Sequence, residues 1–131
     1  MTTPMTTLPD VESALMFLLV PQFPSYRFVT SMPAGDPTKI TARITRVSGA
    51  PQGFWVDQPT VDIDVWGFRS DTMSVSIAAR DIQAFLLAQL GVSVTNGVIQ
   101  RIVTISGPRQ LPEVNQKLAR YNASYEVRIH P

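Results

Sequence analysis

Residues 60–90, TVDIDVWGFRSDTMSVSIAARDIQAFLLAQL, change their hydrophobic period part-way along. From 60 to 68 the pattern alternates, with Val61, Ile63 and Val65 on one face and Asp62, Asp64 and Trp66 on the other. A period of two is that of a half-buried strand. From about 72 the spacing changes: Ile77, Ala78, Ile82, Phe85, Leu86 and Leu90 share one face at a period of 3.6, that of an amphipathic helix. Ser70 or Asp71 is placed to cap its start, and Gly91 to stop it at about residue 90. A strand followed at once by a helix of this kind excludes both an all-β and an all-α chain.

Upstream, Asp10 and Glu12 mark the start of another helix, and Val11, Ala14, Leu15, Leu18 and Leu19 form its stripe. Met16, Phe17 and Val20 widen that stripe almost all round, so this helix is buried or docks on a partner. Pro21 and Pro24 are expected to end it. Residues 26–31 read as a short strand, and Pro33, Gly35 and Pro37 as a turn. Residues 39–47 alternate as a strand (Ile40, Ala42 and Ile44 against Thr41, Arg43 and Thr45). Residues 48–59, SGAPQGFWVDQP, read as a turn-rich loop.

Downstream, the Asn96-Gly97 turn opens a strand over 98–106 that is apolar on both faces, Ile99, Val103 and Ile105 against Val98 and Ile102. Residues 107–118 read as a shaped loop. The last strand, about 120–130, sets Tyr121, Ala123, Tyr125, Val127 and Ile129 against Ser124, Glu126, Arg128 and His130. The connections are turn-sized, so the expected fold is α+β: an antiparallel or mixed sheet with two helices packed on one face. Residues 1–9 are expected to be a flexible arm and 10–131 a single domain.

Composition narrows the chemistry. The chain has 131 residues, no cysteine, one histidine and a net charge of +1. Disulfides, thiolate nucleophiles and multi-histidine metal centres have no residues to build them. No whole-chain basic field points to nucleic acid. Glycine-rich phosphate loops and nucleophile elbows are absent from the sequence, so no cofactor and no enzymatic activity are expected. No basic segment precedes the apolar run 11–20, which is too short to span a bilayer, so synthesis in the cytosol and no membrane partner are expected.

Asp62 and Asp64 could hold a divalent cation, but period-two carboxylates are also what a polar strand face shows, and Arg43 or Arg101 could pair with them across strands or subunits. Phe54, Trp55 and Trp66 could stack nucleic-acid bases or anchor an interface. Nine of the eleven basic residues are arginine, which interfaces favour and which genome composition also produces. The surplus of apolar surface in so small a chain points to self-association, as a dimer or closed ring.

Several segments carry a resemblance: PDVESALMFLL (9–19), FPSYRFVT (23–30), MPAGDP (32–37), DQPTVDIDVWGFR (57–69), IAARDIQAFLL (77–87), GVIQRIVTISGPRQLPE (97–113) and RYNASYEVRIHP (120–131). Together, over roughly residues 9–130, they resemble the tail terminator proteins of long-tailed phages. That resemblance implies a non-enzymatic virion protein of the tail and neck, assembled in the host cytoplasm. It would form a hexameric ring on the last ring of the tail tube, stop polymerisation, and meet a head–tail connector. Its partners would be the major tail tube protein and that connector, with genomic DNA passing through the lumen. The family's usual glycine pair near residue 35 is here Gly35-Asp36. Asp62, Asp64, Trp66, Arg43 and Arg101 are the candidate subunit contacts, and Lys39, Phe54, Trp55 and Asp57 the candidate tube or lumen contacts. Another neck protein and a small nucleic-acid-binding module are the alternative readings.

Overall fold

The structure is a computed structural model that describes residues 7–32, 34–52 and 55–131. In chain order it runs α1 (Val11–Gln22), β1 (Arg27–Val29), β2 (Thr41–Gln52), β3 (Val56–Phe68), a single 3-10 turn (Arg69–Asp71), α2 (Thr72–Leu87), β4 (Val92–Val94), β5 (Gly97–Leu111) and β6 (Leu118–His130). The six strands form one mixed sheet in the order β1-β2-β3-β6-β5-β4, with β1 parallel to β2 and every other pair antiparallel. This is the expected α+β fold.

The two helices bury one face of the sheet. Val11, Ala14, Leu15 and Leu19 of α1 and Val75, Ala78, Ala79, Ile82 and Leu86 of α2 join Ile44, Val61, Ile63, Tyr125, Val127 and Ile129 in a single apolar cluster. Alternation along β3 and β6 supplies the sheet's half of that core. Asp10 caps α1, its carboxylate accepting from the Glu12 amide at 3.1 Å, and Asp71 caps α2 through the Ser74 amide. Burial pushes the phenol of Tyr125 well above its ordinary range, because the charged form would lose its water.

Several boundaries differ from those expected, each for a physical reason. Residues 48–59 are not a loop. β2 and β3 continue as a hairpin, paired one-to-one from Ser48↔Thr60 to Gln52↔Val56. Prolines are tolerated there because β2 has an open edge beyond β1, and because the β3–β6 ladder skips Gln58 and Pro59. Likewise β5 runs on to Leu111, with Gly107 and Pro108 inside a bulge between Ser106 and Arg109. An earlier bulge, between Ile99 and Arg101, reverses the alternation, so Ile99 and Ile102, expected on opposite faces, both enter the core, whereas Val103 and Ile105, expected to share a face with Ile99, do not.

Helix α1 continues past Pro21 to Gln22, since Pro21 sits in the last turn and Phe23 still donates its amide to the Leu19 carbonyl. Helix α2 stops at Leu87, short of 90; Gly91, at φ +62°, turns the chain into β4, a strand the sequence reading did not include. Ile77 and Leu90, expected in the core, are 42% and 69% exposed.

Candidate functional site: the open face of the sheet

The face of the sheet turned away from the helices carries a charged cluster built on Asp64. Its position follows from alternation: Val65 and Ile63 point into the core, so Asp64 and Trp66 point out. The strand partners of Asp64 are Arg43 on β2 and Asn122 on β6, which project to the same side. Arg43 donates to Oδ2 at 3.2 Å. Oδ1 accepts from Arg120 Nε at 3.0 Å, from Arg120 Nη2 at 2.8 Å and from Asn122 Nδ2 at 2.9 Å. These side chains roof the carboxylate, leaving Asp64 2% exposed on the polar face of the sheet.

Trp66 completes the cluster. The guanidinium carbons of Arg43 and Arg120 lie 5.0 and 5.4 Å from its ring centroid, within cation–π range. Its indole N–H donates to Glu113 Oε2 at 2.8 Å. Glu113 Oε1 in turn accepts from the Asn115 amide, and Asn115 Nδ2 donates to Asp36 at 2.8 Å. A chain of polar contacts thus ties the segment before β2 and the 112–117 loop to the centre of the sheet. Residues from MPAGDP, DQPTVDIDVWGFR, GPRQLPE and RYNASYEVRIHP, far apart in the chain, converge here.

Beside the cluster lies a hollow of about 360 Å³, lined by Thr30, Ser31 and Met32 after β1 and by Arg43, Thr45, Val47, Asp62, Asp64 and Arg120. Among the described residues, Arg43 Nε is buried there without a partner. Asp62 is half-buried and accepts from Ser124 Oγ at 2.6 Å. Among the described residues it makes no ion pair, and no group of three or more His, Asp or Glu side chains is arranged to hold a metal ion. Both oxygens of Asp64 already face nitrogen donors, so the Asp62–Asp64 pair presents one available carboxylate, not two.

The other sequence-nominated residues are dispersed. Arg101 is exposed and lies opposite Arg128 in the β5–β6 register, with no carboxylate paired to either among the described residues. Asp57 is 1% exposed and faces the helix side, where Arg46 donates to it at 2.7 and 3.1 Å. Glu12 of α1 accepts the Arg46 amide beside that pair. Trp55 is 61% exposed at the β2–β3 turn, and Lys39 is exposed just before β2. Phe54 lies outside the described residues. Arg120, Asn122, Glu113 and Arg46 were not among the nominated residues. The first two follow from the same alternation that places Ser124 and Glu126 on the polar face of β6, extended to the start of the strand. Nothing in the local sequence marks Glu113 as the partner of an indole 47 residues away.

No protein-family model matches this chain, and no curated protein matches it. Among solved structures, the fold is similar to that of a chain in the virion of a native gene transfer agent particle. The TM-score is 0.69 at 11% identity, over 92% of this chain and 95% of that one. At that identity the likeness establishes a shared fold, and it spans nearly the whole of both chains.

Proposed function

We propose that this chain is a non-catalytic structural subunit of a phage-type virion, and within that class a tail terminator. The observation that carries the reading is the end-to-end match of the fold to a chain of a phage-like virion. The segments that resemble tail terminators add to it, because four of them meet in the Asp64–Trp66 cluster. In this reading the protein closes as a hexameric ring on the end of the tail tube, stops its growth and joins the tail to a head–tail connector. DNA passes through the lumen without sequence-specific contacts, and assembly takes place in the host cytoplasm.

Head-to-tail rings need two complementary surfaces on each subunit. Asp62 and the Arg101–Arg128 pair, which make no ion pair among the described residues, offer charges of opposite sign on the open face of the sheet. Arg43, Asp64 and Trp66 shape the ground between the strands that bear them. Lys39 and Trp55 are exposed at the loops assigned to tube or lumen contacts, whereas Asp57 is held by Arg46 and acts through the shape of the hairpin. Negative-stain imaging of the protein mixed with its tail-tube protein tests the reading. Rings capping tubes of limited length are expected. Uncapped tubes of unrestricted length would overturn it, and binding to the connector alone would move the assignment to another neck protein.

A further inference from the structure

The β4–β5 hairpin turns on Asn96-Gly97, and the fold favours both residue types there. Val94 pairs with Gly97, so Thr95 and Asn96 alone span the turn. Asn96 has φ +63°, a left-handed conformation that asparagine and glycine adopt more readily than other residues. Gly97 lies against Pro9, which is buried just before α1, and against the end of β6. A Cβ at Gly97 would stand 2.6 Å from Pro9 Cγ and 2.7 Å from the His130 carbonyl oxygen. A larger residue would have to push the proline ring or the β6 backbone aside. An exposed asparagine is therefore followed by the one residue type with no side chain to crowd its amide nitrogen. The chain's other asparagines differ on both counts. Asn115 and Asn122 precede Gln116 and Ala123, and their carboxamides are held by Asp36 and Asp64 at 2.8 and 2.9 Å.

We propose that Asn96 is a site of spontaneous deamidation and that the β4–β5 hairpin is the part of the fold it alters. The Gly97 amide nitrogen gives its proton to base and attacks Asn96 Cγ. An N–Cγ bond forms, the Cγ–Nδ2 bond breaks, and ammonia leaves. Water then opens the cyclic imide at either carbonyl carbon, giving aspartate or isoaspartate. Ring closure requires rotation about the Asn96 backbone, which the hairpin pairing restrains. β4 is three residues long, lies at the end of the sheet and buries only Val94, so its opening breaks few contacts.

The two products act differently on the fold. Aspartate adds a negative charge, keeps the backbone and tolerates the left-handed region. Isoaspartate routes the main chain through the former side chain and adds one backbone carbon between Thr95 and Gly97. The turn is spanned by two residues, and Gly97 is closed in by Pro9 and His130. The isoaspartyl form must give up either the Val94–Gly97 pairing or the packing of Pro9. It thus loosens β4 or the entry to α1. The reaction depends on this turn alone and not on the virion reading.

The test is to hold the folded full chain in mildly alkaline buffer, digest it at acidic pH and map the peptides by mass spectrometry. Enzymatic methylation of isoaspartyl groups tells the two products apart. Conversion is expected at Asn96 ahead of Asn115 and Asn122, faster as pH rises, with isoaspartate among the products. The isoaspartyl fraction should melt several degrees below the parent chain. Asn96→Asp should melt close to the parent. Asn96→Gly, which suits φ +63° and has no carboxamide, should show neither conversion nor a falling midpoint on storage. Asn96 left intact in the folded chain, or converted only once urea has unfolded it, would overturn the proposal. An isoaspartyl fraction with the parent's midpoint would overturn the effect assigned to the hairpin.

Discussion

Asp64 is the residue on which the open face depends, and the cost of removing it can be worked from its contacts. Asp64→Ala deletes one carboxylate and four charge-assisted or amide hydrogen bonds. It leaves two guanidinium groups facing each other without an anion between them. Breaking a fully buried ion pair costs about 3–5 kcal/mol, mostly because the surviving charge is stranded. Here the side chains of Arg43 and Arg120 are 32% and 27% exposed, so both can turn partly to water. That solvation puts the expected loss at the lower end, about 3 kcal/mol. A domain of this size holds about 5–15 kcal/mol in all, so the variant should fold but with a markedly lower urea midpoint. Equilibrium denaturation followed by tryptophan emission is the assay, because the released guanidinium groups also leave the Trp66 ring. Asp62→Ala is the control. It removes one hydrogen bond from a half-buried carboxylate and should cost about 1 kcal/mol or less. A loss below about 1 kcal/mol for Asp64→Ala, with native-state emission unchanged, would refute the view that the cluster is held by its central anion.

Two further outcomes follow from the fold. Tyr125 keeps its proton in the folded state above the pH at which the unfolded chain releases it. Its contribution is therefore intact below about pH 10 and declines as pH rises beyond it, by up to about 1.4 kcal/mol per pH unit. Chemical denaturation of Tyr125→Phe between pH 9 and 11 should show a shallower fall than the parent chain, and identical slopes would contradict the assignment. Gly49 sits at φ +103° in the β2–β3 hairpin, where an added Cβ would strike the Gln58 carbonyl oxygen and come within 2.5 Å of Pro59 Cα. Gly49→Ala should thus destabilise by more than about 1 kcal/mol, whereas the same change at an unstrained site stabilises by about 0.4–1 kcal/mol, read as a shift in thermal midpoint.

What the sequence reveals and what it hides divides along one line. Period-two and period-3.6 patterns report which face of an element is apolar, and they placed β3, β6 and both helices in the right order. They also put Asp64 and Trp66 on the polar face. They do not report contacts made by residues distant in sequence. Asp64 is buried on that polar face only because Arg120 and Asn122 arrive from 56 and 58 residues away. Bulges are equally invisible, since one inserted residue reverses the alternation, and for that reason Ile99 and Ile102 read as opposite faces of one strand. Proline is the third source of difference: Pro51, Pro59 and Pro108 are turn signals locally, yet edges, ladder gaps and bulges absorb them into long strands.

The misplacement of Ile77 has a different cause. Placing Ile77 beside Ile82 and Leu86 assumes that a helix has one apolar face, and α2 has two. The inner face, Val75, Ala78, Ala79, Ile82 and Leu86, suffices to cover the sheet. The second is therefore surplus to the stability of the monomer. Large apolar side chains on an exposed helix face bring a hazard of non-specific association. Arg80 and Asp81, exposed at the two edges of that face, limit the hazard by keeping its borders charged and hydrated.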